Sequence, residues 1–176
     1  NELQSTLFVA ANETKNNVNN SNTISKSGAI ADPRFNSVVI VKAGSGTGTG
    51  FYVTPEIILT AYHVVEKSSL VQLEFYNGRQ NSGRIIAHDI RLDLALIKAD
   101  AVGIPLDIFS GNIRLGSTVE AIGHPQGLSF TITRGIVSSL RKQASIYTKG
   151  SAKVEFVQSD TPVSPGNSGG PLFLGN

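Results

Sequence analysis

From Phe35 onward the chain is a succession of short apolar runs, each cut off by a turn signal. Runs at 37–41, 50–54, 57–60, 70–76, 82–88, 94–98, 118–122, 130–140 and 154–158 are predicted strands. Asn77-Gly78, Asp100, Gly111-Asn112, Gly123-His124-Pro125 and Gly150 separate most of them. No long segment carries a helical period, and no internal repeat is evident. Strands of this length at this spacing predict an all-β sandwich or barrel in one domain or two small lobes. Glycine outnumbers proline 18 to 7, as a fold with many tight turns requires. Charged residues make up only 16% of the chain, too few for a disordered or coiled-coil protein.

Residues 1–34 read differently. The stretch 12–27 is rich in Asn, Ser, Thr and Lys with few apolar anchors, which predicts a flexible arm before a domain at 35–176. Within the arm Leu3, Leu7, Phe8 and Val9 sit roughly at helical spacing. They suit a short surface helix or an arm docked on a neighbouring subunit. The chain has no methionine, and its first residues lack a signal peptide's basic and apolar regions, so a processed or trimmed N-terminus is expected.

Several classes of function are disfavoured at this level. A net charge of +2 is too small to suggest nucleic-acid binding. No cysteine is present, which excludes disulfides, thiolate metal sites and a cysteine nucleophile. The longest aliphatic run is Val38 to Val41, against the roughly 18 apolar residues of a membrane span. The run Gly44-Ser45-Gly46-Thr47-Gly48-Thr49-Gly50 resembles a phosphate loop only superficially, because Phe51-Tyr52-Val53 after it is strand-like and no Gly-Lys-Ser/Thr ending follows. It is predicted to be a flexible turn between two strands. His63, His88 and His124 show no zinc-ligand spacing, so no metal or cofactor is expected.

The segment Pro165-Gly166-Asn167-Ser168-Gly169-Gly170-Pro171-Leu172 places one serine among three glycines. A nucleophilic serine needs its hydroxyl exposed on a tight bend and backbone N–H groups converging on the developing oxyanion. Glycine allows the backbone angles and keeps space for substrate. With a histidine segment and an aspartate upstream, the pattern points to nucleophilic catalysis.

The segments Leu59-Thr60-Ala61-Tyr62-His63-Val64-Val65, Asp93-Leu94-Ala95-Leu96-Ile97 and Gly166-Asn167-Ser168-Gly169-Gly170-Pro171-Leu172 resemble the catalytic segments of trypsin-fold serine endopeptidases, in the order His, Asp, Ser. Three further features resemble the HtrA/Deg branch. They are Gly123-His124-Pro125-Gln126-Gly127, the strand with Gly135-Ile136-Val137-Ser138, and the approach Gln158-Ser159-Asp160. The resemblance covers about residues 36–174. It implies Ser168 as nucleophile, His63 as general base and acid, Asp93 as the residue orienting His63, and the N–H groups of Gly166 and Ser168 as oxyanion hole. Asp89 is a rival for the acid, but Asp93 directly abuts the apolar strand.

The resemblance also implies two packed antiparallel six-stranded β-barrels with the site between them. Because the chain ends at Asn176, eight residues after Ser168, the second barrel is expected to lack its closing strands. Val163, Ser164 and Asn167 are expected to line a substrate pocket. No carboxylate lies in 161–165, which favours small or medium aliphatic side chains over Lys or Arg. The implied substrates are exposed or unfolded polypeptides. A homo-oligomer, specifically a trimer, and an extracytoplasmic, periplasmic or secreted location follow from family habit. The alternative is a binding module or holdase on a protease fold with a latent triad.

Overall fold

A computed structural model of the chain describes residues 10–12, 31–125, 130–142 and 155–175. The arm residues Leu3, Leu7, Phe8 and Val9 lie outside them. The strands are β1 (Ala10–Asn12), β2 (Val38–Ala43), β3 (Gly46–Tyr52), β4 (Ile57–Ala61), β5 (Leu70–Phe75), β6 (Gln80–Asp89), β7 (Leu94–Ala99), β8 (Thr118–Gly123), β9 (Thr131–Lys142), β10 (Glu155–Ser159) and β11 (Leu172–Leu174). A four-residue helix, α1 (Tyr62–Val65), follows β4.

Six of the strands close into an antiparallel barrel in the order β2-β3-β4-β7-β6-β5. The period of two explains how β2 can be almost wholly buried: Val39, Val41 and Ala43 enter the barrel core. Val38 faces the other way, joining Phe35, Phe51, Leu106, Ile122 and Phe173. That second cluster is the seam between the barrel and a five-stranded sheet ordered β1-β11-β8-β9-β10. The sheet has its own core of Val119, Ala121, Val137 and Leu172. The fold is thus the expected trypsin-like all-β pair, with one barrel closed and the second lobe an open sheet among the described residues. The short strand β1, in the stretch read as an arm, pairs in parallel with β11.

The glycine run is not the expected flexible turn. Only Gly44 and Ser45 turn, with Gly44 at φ +56°, and β3 starts at Gly46. The whole of Gly46–Tyr52 pairs with β2 or β4. These glycines give close approach instead. A Cβ on Gly48 would meet the Val64 side chain and the Ser168 carbonyl oxygen at 2.9 Å.

A polar brace crosses the seam. Asp32 caps the 3₁₀ turn at Pro33–Ser37 by accepting the Arg34 N–H. The Arg34 guanidinium binds Asp32 and, at 2.7 Å, Glu120 of β8, and lies 4.7 Å from the Phe173 ring centre. Glu120 also accepts from Arg134 of β9. Burial alone would raise both carboxyls, but the hydrogen bonds from Arg34, joined at Glu120 by Arg134, hold them below the ordinary carboxylate range. Arg34→Ala leaves the mostly buried Glu120 with Arg134 as its remaining partner among the described residues and should destabilise the fold by about 2 kcal/mol near neutral pH. Because the folded values are depressed, that stabilisation is lost as pH falls from the ordinary carboxylate range through them. Urea titrations of both forms at neutral and acid pH check this, and a constant difference would contradict it.

Candidate active site

His63 is delivered by β4. The strand ends at Ala61 and turns into α1, which buries Val64 and Val65 in the barrel core and leaves His63 on the open side. Ala61 pairs with Leu94, so the end of β4 and the start of β7 are register partners. Asp93, just before β7, is thereby brought to His63 across 30 residues of sequence. One Asp93 carboxylate oxygen accepts the His63 backbone N–H at 2.8 Å, and the other lies 2.6 Å from Nδ1. The Asp93 carbonyl accepts the Tyr62 N–H at 2.9 Å. Asp93 holds φ +52°, a conformation costly for a residue with a side chain and fixed here by these three bonds. The hydrogen bond to Asp93 raises the His63 pKa above its ordinary value, against a smaller opposing effect of burial.

Asp89 is engaged elsewhere. Its carboxylate accepts from the backbone and side chain of Arg91 and from the Leu92 N–H, closing the turn between β6 and β7. The Arg91 hydrogen bond lowers its pKa. His88 stacks on Tyr62 at 4.8 Å, and His124, whose pKa burial lowers, sits half-buried after β8.

Ser168 lies half-buried on a turn that its own backbone closes: Asn167 N–H donates to Ser164 O and Gly170 N–H to Asn167 O. Gly166 and Gly169 take φ +104° and +81°. A Cβ at Gly169 would collide with Thr49 O, Thr60 Oγ1 and Ala61 N, so this turn rests directly on the strand leading to His63. The N–H groups of Gly166 and Ser168 find no hydrogen-bond acceptor among the described residues. Nor does a hydrogen bond join Ser168 Oγ to His63 among them. Val163 is exposed and Ser164 half-buried, whereas Asn167 is 2% exposed with its amide oxygen packed towards Gly123. The Asp160 carboxylate accepts the Ile136 N–H at 2.7 Å. Two residues given no role by the sequence alone connect the turn to the barrel by hydroxyl hydrogen bonds: Thr49 donates to the Gly166 carbonyl, and Thr60 donates to the Thr49 carbonyl. Their sequence signals are slight: Thr49 alternates with glycine in 46–50, and Thr60 stands three residues before His63.

Chemically, the arrangement offers a histidine held by a carboxylate, a hydroxyl on a glycine turn and, beside it, two N–H donors without an acceptor among the described residues. Among the described residues no group of three or more His, Cys, Asp or Glu side chains could hold a metal ion, and no helix is long and apolar enough to cross a membrane.

The trypsin-like peptidase domain family matches residues 48–176. A Synechocystis protein carrying the serine protease name HhoA is 38% identical, over 73% of this chain and 34% of its own length. A protein of Halomonas elongata carrying the name periplasmic serine endoprotease DegP-like is 34% identical, over 72% of this chain and 26% of its own. The chain therefore spans about a third or less of the length of these relatives. Among solved structures, the serine endoprotease from Yersinia pestis superposes with a TM-score of 0.63 at 30% identity, covering 79% of this chain and 50% of that one.

Proposed function

The chain belongs to the trypsin-like peptidase family, and on that premise we propose that it is the catalytic part of an HtrA/Deg-like serine endopeptidase, cleaving exposed or unfolded polypeptide through Ser168, His63 and Asp93. The observation that carries this reading is the two-point hold of Asp93 on His63, through the backbone N–H and Nδ1 together. A carboxylate used only for stability has no need to fix both the position and the ring orientation of an exposed imidazole.

The steps follow from that hold. With the Nδ1 proton directed to Asp93, the lone pair of Nε2 is left to accept the Ser168 hydroxyl proton as Oγ attacks the scissile carbonyl carbon. The carbonyl oxygen gains the charge, and the Gly166 and Ser168 N–H groups would receive it. His63, now an imidazolium beside Asp93, gives its proton to the leaving amine. Water then enters by the same route and releases the acyl group from Ser168. No cofactor takes part. Val163, Ser164 and the backbone at Asn167 would flank the substrate, with aliphatic side chains preferred. The periplasmic name of the Halomonas relative supports an extracytoplasmic site of action. Assembly as a homotrimer belongs to the same reading.

A fluorophosphonate tests it on the full-length protein, since only an activated serine reacts quickly. Ser168 should label, with a rate that climbs with pH along a limb above the ordinary imidazole value of 6.5, because the base works only when neutral and Asp93 raises its pKa. Absence of labelling would favour the binding-module alternative. A limb at or below the ordinary value would mean that Asp93 does not hold His63 in solution.

A further inference from the structure

We propose that Thr49 is a positioning residue for the oxyanion hole, gripping from the barrel the turn whose Gly166 and Ser168 N–H groups would face the reacting carbonyl. This rests on the serine-peptidase reading above. The need arises from the turn itself. Gly166 sits at φ +104° with no side chain to restrain it, so its own backbone preferences do not stop the adjoining peptides from rotating.

The hydrogen bonds show what does stop them. The peptide between Gly166 and Asn167 is held at both ends: its carbonyl accepts the Thr49 hydroxyl at 2.7 Å, and its N–H donates to Ser164 O at 3.0 Å. The carbonyl of Ser168 accepts the Thr49 backbone N–H at 2.8 Å. Between these two grips lies the peptide joining Asn167 and Ser168, whose carbonyl turns to the Gly170 N–H. In a trans peptide the N–H points opposite to the carbonyl, so the Ser168 N–H is driven outward. Turning over the Gly166–Asn167 peptide would break the Thr49 hydroxyl bond in a site that is 1% exposed, where no water would replace it.

Thr49 is itself anchored. Its carbonyl accepts the buried Thr60 hydroxyl at 2.7 Å, and Thr60 lies on β4 three residues before His63. Two hydroxyl-to-carbonyl hydrogen bonds in series, Thr60 to Thr49 and Thr49 to Gly166, therefore run from the strand that presents the base to the turn that presents the hole. The distance in sequence between Thr49 and Gly166 is 117 residues.

The test compares wild type with Thr49→Val, Thr49→Ala and Thr49→Ser in the full-length protein. Each is assayed for kcat and KM on a peptide substrate, fluorophosphonate labelling rate and circular dichroism. Removing an oxyanion donor outright costs about 10² to 10³ in kcat; displacing it should cost about 10- to 100-fold in kcat and in labelling for Val and Ala, with KM within about threefold. Thr49→Ser, which keeps the hydroxyl, should return to within about threefold of wild type. A merely structural threonine would lower the unfolding midpoint and leave kcat of the folded protein alone. Should Val fail to fold, Ala, which leaves room for a water, carries the same thresholds. Folded Val or Ala forms with kcat and labelling within about twofold of wild type overturn the proposal, as does a Ser form as slow as the Val form. Wild type that does not label at all refutes the serine-peptidase reading first, and this inference with it.

Discussion

Ser168→Ala should abolish peptide-bond cleavage, by roughly a million-fold in kcat, while the protein stays folded. The hydroxyl is the nucleophile, and no other group in the turn can replace it. Its removal costs little stability because Ser168 is half-buried and its side chain holds nothing together among the described residues; the turn is closed by backbone bonds and by Thr49. His63→Ala should be nearly as severe, and the double variant no worse than either, since nucleophile and base act as one unit. Casein cleavage, with circular dichroism as the check on folding, measures this. Near wild-type cleavage by either single variant would refute the site.

Asp93→Asn should lower turnover by about 10⁴, as it does in the triad of other serine peptidases. The geometry here gives the reason. Asp93 offers one oxygen to the His63 backbone N–H and the other to Nδ1. An asparagine has only one oxygen, and the backbone N–H must have an acceptor. The amide NH₂ then faces Nδ1, which is forced to accept and pushes the ring proton onto Nε2, where the lone pair for Ser168 is needed. The acid limb of whatever activity remains should drop towards the ordinary imidazole value, because the carboxylate that raised it is gone. Asp89→Asn should change turnover by no more than about threefold, since Asp89 closes an exposed turn with Arg91 and does not reach His63. Steady-state kinetics of the two variants side by side decide the matter. The reverse ranking would show that the wrong acid has been chosen.

A candidate site was legible because its residue types are rare together: a serine between glycines, a histidine at the end of an apolar strand and an aspartate at the start of another. The strands were legible because apolar runs and turn residues alternate at strand length. Residues 46–49 escaped that logic. Glycine contributes no side chain to an apolar period, and the backbone pairing of β3 to β2 leaves no mark in the sequence. The brace from Arg34 to Glu120 and Arg134 escaped for a different reason. Charged residues on separate strands give no sign that folding will press them together at a seam.

Side-chain types and their alternation along each segment are local properties, and from them came the all-β fold, the expected break near Phe35 and the glycine-flanked serine; the candidate roles of His63, Asp93 and Ser168 came from the resemblance of their segments to those of trypsin-fold peptidases. Which of two aspartates meets the histidine, and where the N–H groups beside Ser168 point, are not local. The first depends on the register that sets Ala61 opposite Leu94. The second depends on φ at Gly166 and Gly169, which glycine leaves open and which is settled by a threonine packed in from the other lobe. Register and peptide orientation come from hydrogen bonds between distant backbone groups, and backbone groups are the same in every residue, so only the folded chain selects among them.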